Sequence, residues 1–466
     1  MSEALQLRIR EIEVYERPVD LRLPFRFGVV TLRHCPQAFV RARIETADGK
    51  SAWGAAAEMM APKWFDKNLD LTNEQNFEQL HDALQMARRI YLADVEPGTA
   101  FGHFARNYDE QLKHGRARGF NPLLANYGPA LIDRAVLDAL CRLREVSFYD
   151  AMRSNLPGIG EACNAFKGFD FDAFLSSLEP SDSIEARHTV GMVDAITAAD
   201  LTQRVNDGLP ETLEEVVAAF GQRYFKLKVG GNLAADIARL EKIAAVLDRL
   251  PHRYFVSLDG NEQYADAAGV AELTDALRSR ATLHRLWESI LFIEQPIARK
   301  VALDVDLRTA DLGKPVIIDE SDGELDAFVR AKERGYAGVS SKTCKGFYKS
   351  VLNAARCKAW GAGYFMSAED LTTQAGLSVQ QDLALVNLLG ITHVERNGHY
   401  YVNGLAAQPQ GEQQAFLDAH SDVYERSHGA VRLKIRDGRI TLGSLACAGF
   451  ASAAMPDFAA MHQLVA

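Results

Sequence analysis

Tyr224-Phe225-Lys226-Leu227-Lys228-Val229-Gly230 is the stretch that decides how this chain is read. It sets two lysines one residue apart near the end of a short strand-forming run. Alternate side chains of a strand share a face. Lys226 and Lys228 therefore point one way, and Phe225, Leu227 and Val229 the other. Covering helices take the apolar side, which leaves both ammonium groups facing inward. Two inward cations are costly unless anions stand close.

The anions come later in the chain. After Arg187, short apolar runs alternate with longer helical stretches, at 188–193, 224–229, 254–258, 291–293, 315–318, 338–341, 364–366 and 391–394. Eight strands with helices between them predict an α/β fold, a (β/α)8 barrel over 185–400, in preference to a doubly wound sheet. Four of these runs end in a polar residue that the apolar pattern does not explain. They are Asp259 in Asp259-Gly260-Asn261-Glu262, Glu294 in Glu294-Gln295-Pro296, Asp319 in Asp319-Glu320-Ser321, and Lys342 after Val339-Ser340-Ser341.

In a barrel such strand ends meet on one rim, where active sites of this fold lie. For a single acid, a salt bridge or a helix cap is the commoner explanation. Three on consecutive strand ends strain that account, because clustered carboxylates do not stay ionised without a cation. An oxygen-only set without His or Cys suits a hard dication, Mg2+ above all. Strands two and six lie across the ring from each other, so Lys228 and Lys342 should face one another over the ion. A lysine near a dication and a second cation, here Lys226, loses proton affinity and becomes a usable base. Lys345 rivals Lys342 but falls past the strand, in the loop. A carboxylate substrate held by the ion would gain acidity at its α-carbon.

Lys226-x-Lys228, Asp259-x-Asn261, Glu294-Gln295-Pro296, Asp319-Glu320-Ser321 and Lys342, in that order, resemble the enolase superfamily, specifically its muconate lactonizing enzyme subgroup. The resemblance covers most of the chain. It implies a modified (β/α)8 TIM-like barrel with an α+β N-terminal capping domain, about 1–160, completed by the C-terminal segment 430–466. It implies Asp259, Glu294 and Asp319 as Mg2+ ligands, Lys228 and Lys342 as the acid/base pair, and Lys226 as a holder of the substrate carboxylate. The chain departs from the pattern in extra sequence around 101–121 and 158–185. Its eighth strand, ending His393-Val394-Glu395-Arg396, lacks the D-x-D pair of the dipeptide epimerases, which weighs against a dipeptide substrate. Glu369, Asp370 and Glu395 are candidates for contacting a polar substrate group; solvated rim charges are the equally good alternative.

The first third reads as α+β. Leu7 and Ile9 share one strand face and Ile12 and Val14 the other, so the apolar phase switches near Arg10, as in a bulged strand. A strand over 38–45, the turn Asp48-Gly49 and a return through Ala52-Trp53-Gly54 give a meander. Helical spacing marks 76–91 and 130–144. Leu23-Pro24-Phe25-Arg26-Phe27-Gly28 reads as an exposed apolar loop, packed on its own sheet or serving as a flap over a site. The closing run, Val431 to Ile435, Asp437-Gly438 and Arg439 to Leu442, should fold back on the N-terminal domain.

With 466 residues, 47% of them apolar and 24% charged, the chain supports two or three domains with a sizeable core. Its net charge of −10 carries no basic footprint for nucleic acid. Six scattered cysteines (Cys35, Cys141, Cys163, Cys344, Cys357 and Cys447) read as reduced thiols. The N-terminus shows no signal-peptide pattern, and no run reaches the roughly 18 apolar residues of a membrane helix. A soluble, cytoplasmic homo-oligomer acting on a small-molecule carboxylate is expected.

The reading is thus a Mg2+-dependent enzyme that removes the proton α to a carboxylate, as a racemase or epimerase, a dehydratase or a cycloisomerase. Its alternative is a non-catalytic carboxylate-binding protein that retains the site. A hydrolase on the same barrel would want His-x-His on strand one or a G-x-S-x-G elbow, and neither occurs.

Overall fold

The computed structural model describes residues 4–160, 166 and 168–464. Cys163 and part of the extra 158–185 segment lie outside the described residues. The chain opens with five strands: β1 (Leu7–Arg17), β2 (Asp20–Phe27), β3 (Val30–His34), β4 (Gln37–Thr46) and β5 (Ser51–Met59). β1, β4 and β5 form an antiparallel sheet. The β1–β4 register shifts between Ile9 and Glu11, leaving Arg10 as the extra residue of a bulge. That bulge is the phase switch seen in the sequence, and it lets Leu7, Ile9, Ile12 and Val14 all be buried.

Helices Asn73–Ala93 and Tyr127–Arg144 cover this sheet. Thr72 and Gln75 form a capping box that starts the first. The second approaches β5 so closely that a Cβ on Gly54 would lie 2.1 Å from the Ala139 nitrogen and 2.3 Å from the Ala135 oxygen. Both are backbone atoms and cannot swing aside. Gly54→Ala is therefore expected to lower stability by about 3 kcal/mol, the upper range for overpacking. A urea midpoint equal to that of the parent would show that the helix can shift.

Eight parallel strands form the barrel: β6 (Ser183–Val190), β7 (Tyr224–Lys228), β8 (Phe255–Asp259), β9 (Ile290–Glu294), β10 (Val316–Ile318), β11 (Gly338–Ser341), β12 (Phe365–Ala368) and β13 (His393–Arg396). They are neighbours in chain order, and β13 pairs with β6 to bring the ring round. β12 and β13 share no ladder, so the barrel is a modified one. Phe225, Leu227 and Val229 point out into the layer beneath the helices, and Lys226 and Lys228 point in. The alternation of one five-residue strand thus decides which groups the barrel encloses.

Two expectations are corrected. Residues 23–28 are not an exposed loop: they belong to the hairpin β2–β3, with Phe25 and Phe27 buried. This hairpin leans on the barrel. Arg22 pairs with Asp207 at 2.5 Å and donates to the Tyr400 carbonyl at 2.8 Å, while the Phe25 and Tyr401 rings lie 4.3 Å apart. Burial of two phenylalanines against another part of the chain explains a run that looks too apolar for a loop.

The second correction concerns the C-terminal segment. β14 (Tyr424–Ser427) and β15 (Ala430–Leu433) make a separate hairpin, and β16 (Arg439–Thr441) pairs antiparallel with the start of β6. This part stays with the barrel. The return to the N-terminal domain is made further on, by Phe450 stacked on Phe148 of its helix Phe148–Arg153, Phe458 against Tyr15, and β17 (His462–Gln463) beside β1. Among the described residues no helix is long and apolar enough to cross a membrane.

Candidate active site

Register builds the site. Lys228 on β7 stands opposite Asp259 on β8, and Asp259 opposite Glu294 on β9, so three ionisable groups form one row at adjoining strand ends. Asp319 follows β10 and Lys342 follows β11. β7 and β11 are the second and sixth of eight strands, so their lysines enter from opposite sides. Lys228 Nζ lies 2.5 Å from Asp259 Oδ2, and Lys342 Nζ lies 2.5 Å from Asp319 Oδ2.

Lys226 sits between them, deep in the barrel. Its ammonium contacts Asp259 at 2.9 Å, Glu294 at 2.9 and 3.0 Å, and Glu395 at 3.1 Å, and it bonds Glu369 as well. Lys345 is distinct from Lys342: it donates to the Asp319 carbonyl and to Oδ1, both at 3.1 Å, and does not reach the cavity. Its geometry fits a group that holds Asp319 in place.

The backbone and one amide position these groups. Asn261, Glu262 and Gln295 adopt φ of 38°, 67° and 32°, left-handed values at the turns that end β8 and β9. Such strain persists only where the surroundings over-determine it. Gln295 accepts from the backbone N–H of Asp319 at 2.7 Å and of Ser321 at 3.0 Å, and donates to Ser321 Oγ at 2.8 Å. It ties the end of β9 to the end of β10, which explains the Gln in Glu294-Gln295-Pro296.

Electrostatics follow from crowding. Burial works against ionisation of Asp259 and Asp319, yet the lysines beside them hold both below the usual carboxylate range. Glu294 goes the other way: burial, with Asp259, Glu369 and Asp319 around it, pushes it well above that range despite Lys226. Burial opposes the charge on Lys342, but Asp319 outweighs it and raises its proton affinity. Lys226 is raised well above the ordinary lysine value by its four carboxylates, against the same penalty. Asp319 gives its charge directly to the Lys342 ammonium, whereas the loss of proton affinity expected from the sequence belongs to a lysine beside a bound dication.

Does this set suit Mg2+? Among the described residues no three acids, histidines or cysteines are already gathered as a ligand set. Asp259 and Glu294 share the Lys226 ammonium, while Asp319 is held by Lys342 and Lys345. The donors nevertheless fit. All are oxygen, all three side chains are buried, and Glu294 Oε2 accepts no hydrogen bond among the described residues although it lies 2.9 Å from Lys226 Nζ. An ion held by Asp259 and Glu294 would compete with the Lys226 ammonium for their oxygens.

The other candidates are placed as follows. Glu369, Asp370 and Glu395 are 1%, 6% and 1% exposed, so they are not solvated rim charges. Glu369 bonds Arg187 at 2.5 Å and the Lys226 ammonium, and is not among the residues that line the cavity. Asp370 accepts backbone N–H groups of Thr373 and Asn397, and Glu395 accepts from Thr189 Oγ1 at 2.5 Å; both line the cavity.

Sequence reasoning missed Arg187, because β6 begins five residues before its apolar run suggests, and Thr189, which lies inside that run and carries no charge to mark it. The flap alternative for 23–28 contains Phe25 and Phe27 of an apolar wall supplied by the N-terminal domain; sequence reasoning missed its other members, Leu32 and Trp64. Phe25, Phe27, Leu32 and Trp64 close over Lys226, Lys228 and Lys342, with Lys342 Nζ 4.4 Å from the Trp64 ring centre. The space left inside is about 20 Å³, room for about one water molecule.

His188, next along β6, faces outward against His399. Burial pushes its pKa down to about 3. The unfolded chain takes up this proton below pH ~6.5 and the folded chain does not, so stability is full above that pH and declines as pH falls. A single such group costs about 2 kcal/mol between pH 6.5 and 5. His188→Gln should therefore show a shallower loss of unfolding free energy over this interval; an unchanged slope would refute the assignment.

Comparison with known proteins bears on the family. The family model described as enolase C-terminal domain-like matches residues 208–446, more than half of the chain. An N-succinyl-L-Arg/Lys racemase of Bacillus cereus is 30% identical over 161 residues, a stretch spanning 33% of this chain and 40% of that protein. The dipeptide epimerase of Enterococcus faecalis V583, solved with Mg and L-Leu-L-Tyr, superposes with a TM-score of 0.61 at 16% identity over 95% of this chain and 99% of that one. An enolase from Bradyrhizobium, solved with magnesium and mandelic acid, gives 0.61 at 15% identity over 100% of both. At such identities the two structures speak for the fold, and the family model speaks for descent. This chain belongs to the enolase superfamily, among its mandelate racemase/muconate lactonizing enzyme-like members.

Proposed function

We propose that the protein is a Mg2+-dependent enzyme that abstracts the proton α to a carboxylate, with Lys228 and Lys342 as the acid/base pair. One observation carries this reading: two lysines on the second and sixth strands of an eight-stranded ring line the same closed cavity. A substrate α-carbon between them has an amine on each face. One lysine removes the proton and the other returns it on the far side, which inverts the centre. Lys226, lying deepest, would meet the substrate carboxylate.

Asp259, Glu294 and Asp319 would hold the ion. When bound, a dication stabilises the enediolate charge that develops as the proton leaves. Lys228 and Lys342, each beside one of these carboxylates, would stand ready to take or return the proton. Phe25, Phe27 and Trp64 would exclude water, so that these charges act in a low-dielectric space. Because only about 20 Å³ is free, the hairpin β2–β3 must lift to admit a substrate.

Of the three reactions open to this pair, the likeness to an N-succinyl-L-Arg/Lys racemase favours racemisation over elimination and cycloisomerisation. The test is incubation with a library of carboxylic acids in deuterated buffer with Mg2+. Deuterium gained at an α-carbon, with inversion, supports the reading. Saturable binding of a carboxylate without any exchange would favour a non-catalytic binding protein instead.

A further inference from the structure

Away from the rim, an open groove of about 1010 Å³ runs between the helix Leu213–Phe220 and the hairpin β14–β15. Its acids are already engaged. Glu211 accepts from the backbone N–H of Val205 at 3.0 Å, Glu215 pairs with Arg204 at 2.7 Å, and Glu425 pairs with Arg436. Asp207 near it is taken by Arg22.

Arg432 is different. It is 3% exposed, and its guanidinium donates to the His399 carbonyl at 3.1 Å. Among the described residues no carboxylate lies within 4.0 Å of it. Glu425 is its partner across the β14–β15 ladder, yet that carboxylate turns to Arg436. Arg426, also on the groove, pairs with no acid among the described residues and bonds the Gln414 side chain at 2.9 Å.

A buried cation without an anion is unfavourable. The guanidinium fork is also the side chain best matched to a planar or tetrahedral oxyanion, which it can bind through two parallel hydrogen bonds. Leu209, Pro210, Ala219 and Phe220 line the rest of the groove. We infer that this groove is a second ligand site, which binds the carboxylate or phosphate of a small organic molecule at Arg432, with Arg426 on its rim and the apolar wall against the ligand's body. The carbonyl held by Arg432 belongs to the turn Gly398–Tyr401, whose Tyr401 ring packs on Phe25. The groove and the active-site hairpin thus share one structural element.

The test is calorimetric titration of the full chain, without metal and at constant ionic strength, with inorganic phosphate, phenyl phosphate and phenylacetate. Saturable binding is expected, tighter for the aryl ligands than for inorganic phosphate; whichever aryl ligand binds tighter identifies the headgroup. Arg432→Gln should weaken it about tenfold or more, the order expected for loss of a charge-assisted pair. The exposed Arg426→Glu should weaken it about threefold or more while the melting temperature stays that of the parent. Arg432→Gln removes an unpaired charge and should not lower the melting temperature either. If that variant fails to fold, Arg426→Glu alone decides. Absence of saturable binding in the parent, or binding that these substitutions leave unchanged, overturns the inference.

Discussion

Lys342→Ala is expected to abolish α-proton exchange from one enantiomer of the substrate, and Lys228→Ala from the other, each by a factor of about 10³, within the range for loss of a general acid or base. The reason is topological. The two lysines are anchored on strands four places apart in a ring of eight, and each is set at its strand end by its own carboxylate, Asp259 or Asp319. Neither can cross to the other's side. A neighbouring lysine does not rescue Lys342: Lys345 is committed to the Asp319 carbonyl and carboxylate and does not reach the cavity. Measured by deuterium incorporation from each pure enantiomer, the losses should be complementary. Loss of the same enantiomer in both variants would place the two amines on one flank and defeat the proposal.

Glu294→Gln carries the second large effect. Glu294 closes the row that runs from Lys228 through Asp259, and burial with Asp259, Glu369 and Asp319 around it resists its charge. A group kept only for structure would cost stability when neutralised. A group kept for a dication would not, because the neutral amide relieves crowding with Asp259 and Glu369. We therefore expect Mg2+ affinity to fall by at least about a hundredfold and exchange by about a thousandfold, on the scale of several kcal/mol of charge stabilisation by a metal. The unfolding midpoint without metal should hold or rise. A fall in stability with unchanged Mg2+ binding would assign Glu294 to the fold alone.

Much of this arrangement was legible in the sequence, for a physical reason. In a parallel barrel both faces of each strand are buried, so a charged residue at the end of an apolar run has few places to go except the rim. Asp259, Glu294, Asp319 and Lys342 stand out on that ground, and Lys226 and Lys228 through strand alternation. The bulge at Arg10 was legible too, because a bulge is what reconciles two apolar phases in one strand.

What escaped depends on contacts distant in the chain. Trp64 and Leu32 line the site from a domain more than a hundred residues earlier, and nothing near them in sequence marks the lysines they cover. Arg187 reads as a strand-flanking charge until Glu369, 182 residues on, is seen to receive it. The β16 strand has the composition of any edge strand; only the free edge at the start of β6 selects its partner. Which ammonium each acid chooses, Lys342 for Asp319 among them, is a matter of geometry that a list of acids does not reveal.

The most direct test is a crystal structure with Mg2+ and a bound carboxylic acid inhibitor. The account requires the ion to be held by Asp259, Glu294 and Asp319, with the Lys226 ammonium displaced toward the ligand carboxylate. It also requires Nζ of Lys228 and Nζ of Lys342 on opposite faces of the α-carbon. An ion bound elsewhere, with Lys226 still bridging Asp259 and Glu294, would contradict it.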